Sequence, residues 1–296
     1  MQTYKCKKCG HKFQNKRKGS WSKSRLLERY IWQRQTLSDL AFQYKISKRW
    51  VQAKLDQETI QSIVKLSKKS IVVVADTTFF SRTSGVTVFR EPNLKKNIWW
   101  KETNSEKAEI YIFGRKHLEK NGFAIQAVVL DGRKGIREVF KDIPVQMCHF
   151  HQKQIVKRYL TSNPKTVASR ELKNIVYFLT KTNQKNFTAE LKHWFEKHKD
   201  FLKQKTTNPQ SGRWFYTHKR LRAAYRSLQT NLPYLFTYQK YPELKIPNTT
   251  NSMDGYFNIL KSLLNVHRGL NLKRRKRLVI EILKGNRPSQ PHQKFH

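Results

Sequence analysis

Residues 71–80 read IVVVADTTFF, and the rest of the chain is organised around this stretch. Ile71, Val72, Val73 and Val74 form the unbroken β-branched run of a strand covered on both faces, where polar and apolar residues have no reason to alternate. The same run delivers an acid, Asp76. An ionised carboxylate is costly to desolvate without a cation beside it, so the end of a central strand demands a partner for Asp76. A lysine, a helix N-terminus or a divalent metal would serve. A second apolar run ending in an acid, AVVLDG at 127–132, raises the odds of a metal, and Asp76 and Asp131 are read as one site.

The chain has 296 residues, of which 38% are hydrophobic, enough to bury a sizeable core and to form more than one domain. It carries 61 Lys and Arg against 20 Asp and Glu, a formal charge of +41. That balance points to a polyanion as partner. The basic residues run through every segment, which predicts an extended surface that tracks phosphates with strongly salt-dependent affinity. The longest apolar run, Ile71 to Ala75, falls far short of the ~20 residues needed to span a bilayer, so no membrane role is expected. No secretory signal is recognised. Three cysteines, two of them spaced as Cys6-x-x-Cys9, suit metal binding in a reducing compartment better than a disulfide framework. The expected location is the cytoplasm, in association with the nucleoid.

Residues 1–20 hold Cys6 and Cys9 at the spacing that lets two thiolates bind one Zn²⁺, with Gly10 permitting the tight turn. Two readings stand for this arm: a zinc site completed elsewhere, or a basic arm without metal. Residues 21–56 read as three short helices. Leu26, Leu27, Tyr30 and Ile31 stripe the first, and Leu37, Leu40, Ala41 and Tyr44 the second, which Thr36 and Asp39 cap. Ser47 caps the third, leaving Lys48, Arg49 and Gln52 to point outward. This is the pattern of a helix-turn-helix, whose third helix would enter the major groove of double-stranded DNA; a helical hairpin with a solvated basic face is the bland alternative.

After a linker at 57–70, the succession is three strands, a helix, a strand, a short helix, a strand and a helix up to about residue 163. That order belongs to an α/β ribonuclease H-like core, in which the first and fourth strands lie side by side and bring Asp76 to Asp131. Residues 164–247 turn helical and aromatic and read as an all-helical insertion, striped by Leu172, Val176, Phe187, Leu191, Trp194, Leu221 and Leu228. Arg213, Lys219 and Arg220 are its candidate DNA contacts. Trp214 and Tyr216 either stack on unpaired bases or belong to the core. Residues 248–284 return to the catalytic core. A helix from Ser252 carries Asp254 on a polar face with Asn251, Asn258 and Lys261, and Arg274 and Arg275 lie in a basic cluster taken as a further DNA contact. The tail, 285–296, is expected to be disordered.

Taken together, Asp76, Asp131 in LDGRKGI, Cys148-x-x-His151 in QMCHFHQKQIV and Asp254 in NTTNSMDGYFNILK resemble the Mutator-like group of DDE transposases of bacterial insertion sequences, in its zinc-ribbon variant. The resemblance covers nearly the whole chain. It implies a transposase that binds the ends of an insertion element and its target DNA, and performs metal-dependent strand cleavage and strand transfer as a homodimer or higher oligomer. It further implies two Mg²⁺ or Mn²⁺ ions, with Asp76 bridging both, Asp131 holding one and Asp254 the other. The chain departs from the group in lacking the first half of the ribbon and in carrying Asp254 where the group usually has Glu. For Cys148 and His151 three readings stay open: ligands shared with Cys6 and Cys9, core residues, or members of the catalytic neighbourhood, with His151 beside the scissile strand. A catalytically decayed or domesticated transposase that only binds DNA is the alternative function.

Overall fold

The structure, a computed structural model, describes residues 3–14, 23–57 and 70–285. Most of the expected linker at 57–70 and all of the tail after Gly285 lie outside the described residues. The fold is α/β, with a mixed five-stranded sheet and many helices, and it divides into two compact units: Met1–Ile63 with Leu260–His296, and Val64–Ile259. No helix among the described residues is long and apolar enough to cross a membrane.

In the first unit, strands β1 (Thr3–Lys5) and β2 (Lys12–Gln14) pair antiparallel, and Cys6 and Cys9 sit in the turn between them. Helices α1 (Lys23–Trp32), α2 (Leu37–Tyr44) and α3 (Lys48–Leu55) follow. The Thr36 hydroxyl accepts from Asp39 N while the Asp39 carboxylate accepts from Thr36 N, a reciprocal capping box that starts α2. Lys45, at φ 52°, ends it in the left-handed conformation, and the Ser47 hydroxyl then caps α3. Leu27, Ile31, Leu40, Val51 and Leu55 are buried.

The second unit is built on the sheet of β3 (Ser70–Ser81), β4 (Ser84–Glu91), β5 (Lys96–Thr103), β6 (Ala124–Leu130) and β7 (Val145–Met147), in the order β5-β4-β3-β6-β7. The pairs β3–β4 and β4–β5 are antiparallel, while β3–β6 and β6–β7 are parallel. The parallel neighbours need crossovers, which α4 (Ala108–Lys120) and α5 (Lys134–Glu138) supply. Odd-numbered residues of β3, Ile71, Val73 and Ala75, pack with Phe89, Tyr111, Val128, Leu130 and Phe140 in one core cluster. The even-numbered positions, Asp76 among them, face the other way.

Helix α6 (His149–Leu160) begins one residue after β7. Next come α7 (Val167–Tyr177), a 3₁₀ turn, and α8 (Gln184–Lys203). The insertion is not all helical as expected. Strands β8 (Lys205–Thr207) and β9 (Trp214–Tyr216) form an antiparallel hairpin between α8 and α9 (Lys219–Leu235). The reason is local: Thr206, Thr207, Trp214, Phe215 and Tyr216 are strand formers, and Asn208, Pro209 and Gly212 between them are turn formers. The helical stripes do form a second core, with Leu172, Phe187, Leu191, Trp194, Leu221 and Leu228 buried together.

Short α10 (Thr237–Lys240) leads to α11 (Asn251–Val266) and α12 (Leu272–Lys284). Residues 248–284 were expected wholly with the sheet, but the chain contacts divide that span at Leu260. From there on it groups with the N-terminal helices: the His267 ring stacks on Tyr30 at 3.8 Å, and Arg274 pairs with Asp56 at 2.8 Å.

A buried polar network ties the insertion to β7 and α6. The Gln146 side chain donates to Leu235 O at 2.8 Å and accepts from Tyr238 N at 2.9 Å, Asn231 bridges Arg137 and Gln152 at 2.8 Å each, and His149 Nε2 meets Leu235 O at 2.5 Å. His149 is fully buried and its Nδ1 has no partner, so the ring is held neutral and burial pushes its pKa down to about 4. Unfolding frees it to take a proton near its usual ~6.5. The unfolded state therefore binds more protons between those values, and the His149 contribution is complete above the unfolded pKa and is lost as pH falls toward 4. Urea unfolding of wild type should lose up to ~3 kcal/mol more than His149→Gln between pH 7 and pH 4. Equal losses in both proteins would show that His149 does not carry this dependence.

Candidate metal centre

Register places the first two acids. Val74 of β3 and Val129 of β6 are the last parallel pair, so Asp76 and Asp131 each lie two residues beyond it. Strand β6 ends at Leu130, and both acids lie where β3 runs on past its parallel neighbour. Open α/β sheets bind ligands at this carboxyl edge.

Helix α6 supplies the third side chain. Cys148 N donates to Leu130 O at 2.8 Å and continues the β7 ladder, and His149 then opens the helix. Cys148 and His151, three residues apart in the first turn, share a face. The fourth comes from α11, and Thr250, the residue before that helix, ties it in: its N and Oγ1 lie 3.2 Å from Cys148 Sγ, and its Oγ1 donates to Asp254 Oδ2 at 3.0 Å. One ligand atom each from Asp76, His151 and Asp254 lies within 4.8 Å of the others. All three residues are half-buried.

The electrostatics follow from burial. Desolvation raises the Asp76 pKa to about 7, against the favourable charge of His151 and a 2.8 Å bond from Thr77 N; Glu106 and Asp131 add to the rise by repulsion. His151 moves the opposite way, up to about 9. The adjoining Cys148 thiol is the largest cause, set against burial, and the charges of Asp76 and Asp254 contribute. Burial alone would push the Cys148 thiol up, but His151 and Thr250 outweigh it and hold the thiol below its usual value. His151 thus lies beside the carboxyl groups of Asp76 and Asp254, although its buried Nδ1 meets no acceptor in hydrogen-bond geometry.

Asp131 is outside this trio. Arg133 holds it, with the backbone N 3.0 Å from Asp131 Oδ1 and Nε 3.2 Å from Oδ2. The same guanidinium reaches Glu106 at 2.8 Å, and Glu106 also accepts from Tyr111 Oη at 2.6 Å. Burial raises the pKa of Glu106. Glu106 was not singled out from the sequence. The available signal was a lone acid at a strand-to-helix joint, five residues before Tyr111, in a chain with only 20 acids.

The donor set can hold a divalent cation. Two carboxylates and an imidazole, one ring nitrogen lacking a partner, suit Mn²⁺ or another nitrogen-tolerant metal better than Mg²⁺, which prefers oxygen throughout. At the other end of the chain, Cys6 accepts hydrogen bonds from the backbone of Cys9 and Lys8 and interacts with the Cys9 side chain, which together hold its thiol below the usual range. No third His, Cys, Asp or Glu among the described residues completes a set of ligands with Cys6 and Cys9.

The candidate DNA contacts differ in their freedom. Lys48 and Arg49 are exposed on α3, but Gln52 donates to Asp56 at 3.1 Å, and Arg274 is paired with the same acid. Arg275 is half-buried. Arg213, Lys219 and Arg220 are exposed, with Arg220 bonded to Arg158 O at 2.6 Å.

No family model matches the chain, and no curated protein matches it.

Arg133→Met would leave Glu106 and Asp131 facing each other without their shared cation. Because Arg133 is itself more than half exposed, the expected cost is only ~1 kcal/mol by urea unfolding at pH 7. Adding Glu106→Gln should recover most of it. A double variant no more stable than Arg133→Met would refute this pairing.

Proposed function

We propose that the protein is a metal-dependent DNA transposase of the Mutator-like DDE group, acting on the ends of an insertion element. The observation that carries this reading is the convergence of Asp76, His151 and Asp254, from three distant segments, at the carboxyl edge of a mixed sheet. The order β5-β4-β3-β6-β7, with the acid-bearing strands β3 and β6 adjacent, supports a ribonuclease H-like core. Capping on both sides of the tight turn between α2 and α3 supports a helix-turn-helix, with Lys48 and Arg49 as its base-reading or phosphate-reading residues.

Asp76 and Asp254 would be the carboxylate ligands of the cation, with His151 as the third donor. Thr250 fixes the Asp254 rotamer, and the Cys148 thiol orients the His151 ring. A bound divalent cation would supply Lewis-acid activation of the attacking oxygen and stabilisation of the leaving one. Cys148, Asp76 and Asp254 raise the His151 pKa, so the ring would have to give up a proton to act as a metal ligand. Asp131, paired here with Arg133, would be the ligand for a second cation. Binding of two element ends calls for at least two copies of the chain.

A second reading, a DNA-binding protein that no longer cuts, draws support from the same Arg133 clamp on Asp131. A labelled duplex carrying the element's terminal repeat, incubated with Mn²⁺ or Mg²⁺, separates the two readings. The expected result is nicking and strand transfer, abolished by Asp254→Asn with duplex binding retained. Normal cutting by Asp254→Asn would remove Asp254 from the site; absence of cutting in wild type under all conditions would favour the non-cutting reading.

DNA recognition carries its own expectation. Arg49→Ala should weaken binding to the terminal repeat by roughly 1–3 kcal/mol while binding to unrelated duplex changes little. Affinity for any duplex should fall steeply with salt, since a chain of charge +41 displaces many counterions. A flat salt dependence would count against an extended phosphate contact.

A further inference from the structure

Hairpin β8–β9 has no part in the metal centre, yet it is built with care. Its base is fastened twice: Thr217 N donates to Gln204 O at 3.0 Å, and His218 meets Gln204 Oε1 at 2.9 Å while its ring stacks on Phe201 at 3.7 Å. Arg222 reaches Leu202 O at 2.8 Å. The connecting turn is closed by its own bonds, with Asn208 N donating to Arg213 O and Gly212 N to Asn208 O, each at 2.9 Å. Gly212, at φ +62°, takes the left-handed conformation that lets the turn close.

This fixed frame presents aromatic rings to water. Trp214 is 56% exposed and Phe215 42%. Pairing of Thr207 with Trp214 and Lys205 with Tyr216 puts both rings of that face side by side, with centroids 5.6 Å apart, and puts Phe215 on the opposite face. Each ring has a cation over it: Lys205 lies 3.9 Å from the Trp214 centroid, Arg222 3.6 Å from Tyr216 and Lys219 5.6 Å from Phe215. The segment 201–242 contains eight Lys and Arg and no Asp or Glu.

We propose that this hairpin is a stacking platform for the unpaired bases of single-stranded DNA, with Trp214 as the ring surface and Lys205 and Arg213 as phosphate contacts. The proposal rests on the nucleic-acid reading above and adds a second ligand form to it. An apolar protein partner would bury the rings but strand the cations. A duplex would satisfy the cations and leave the rings without a use, since its bases are already stacked on one another. Only a strand with exposed base faces and a phosphate backbone uses both, and such platforms tolerate any sequence because every base has a π-face.

The test compares fluorescence anisotropy of a labelled oligo-dT of about twelve nucleotides, a fair site size for one platform, with that of a labelled duplex, using the full chain at fixed salt. Trp214→Ala should weaken oligo-dT binding roughly ten-fold or more, and Trp214→Tyr should restore most of it, because a ring of either kind stacks. Duplex binding should stay within about two-fold in both variants, since stacking contributes to single strands alone. Wild type that binds duplex but not oligo-dT, or a Trp214→Ala protein that binds oligo-dT normally, would overturn the platform and leave the transposase reading standing. Tighter binding of an oligo-U RNA than of oligo-dT would also overturn it. Failure of wild type to bind either DNA would instead overturn the nucleic-acid reading itself.

Discussion

The carboxylate of Asp76 cannot be left alone. It sits on a strand whose preceding residues, Val73, Val74 and Ala75, are almost wholly shielded from water, and burial raises its pKa to about 7. Each element around it answers that cost with something positive or something that donates: the backbone of Thr77, the imidazole of His151 and, one residue pair further, Arg133 between Asp131 and Glu106. The result is two adjoining charge arrangements. In one, a histidine lies among two carboxylates; in the other, an arginine lies between two more. Both place a basic side chain among acids, which lets four acids lie close together.

Those groups hold their places because the helical insertion and the sheet share buried polar contacts. Gln146 and His149, on either side of the strand-to-helix joint, both bond to Leu235 O, and Thr237 Oγ1 bonds to Val145 O at 2.7 Å. A purely apolar interface between insertion and sheet would allow sliding. Directional bonds to single carbonyls do not, and each one left unmade would cost about 1–3 kcal/mol. The insertion therefore does more than lengthen the chain: it fixes the strand-to-helix joint that leads to His151 on α6.

Much of this was legible from sequence because it depends on local periodicity. The run Ile71 to Val74, the stripes of the insertion and the polar face holding Asp254 are patterns a few residues long, and the structure places them as strand, helices and helix. What escaped depends on long-range pairing or on turn chemistry. The ion pair of Asp56 with Arg274 joins residues 218 apart and leaves no mark in either neighbourhood. The tie between Arg133 and Glu106 is similarly silent, because neither residue repeats in a pattern. Hairpin β8–β9 was within reach: two threonines, a turn with proline and glycine, and three aromatics announce it, but the strong helices on either side dominate the reading.

The joint between β7 and α6 has one residue in it, Cys148, whose N–H still belongs to the sheet and whose carbonyl already accepts from Gln152 N in the helix. There is no slack there. An inserted residue between Cys148 and His151 would turn the imidazole by about 100° around the helix axis and carry it off the site altogether. The six residues from Asn208 to Arg213, by contrast, lie in an exposed turn whose bonds are all internal. Two short segments thus set different terms for change in this chain: a gain or loss of one residue at 148–151 moves the site, whereas one in the exposed turn between β8 and β9 stays local to the hairpin.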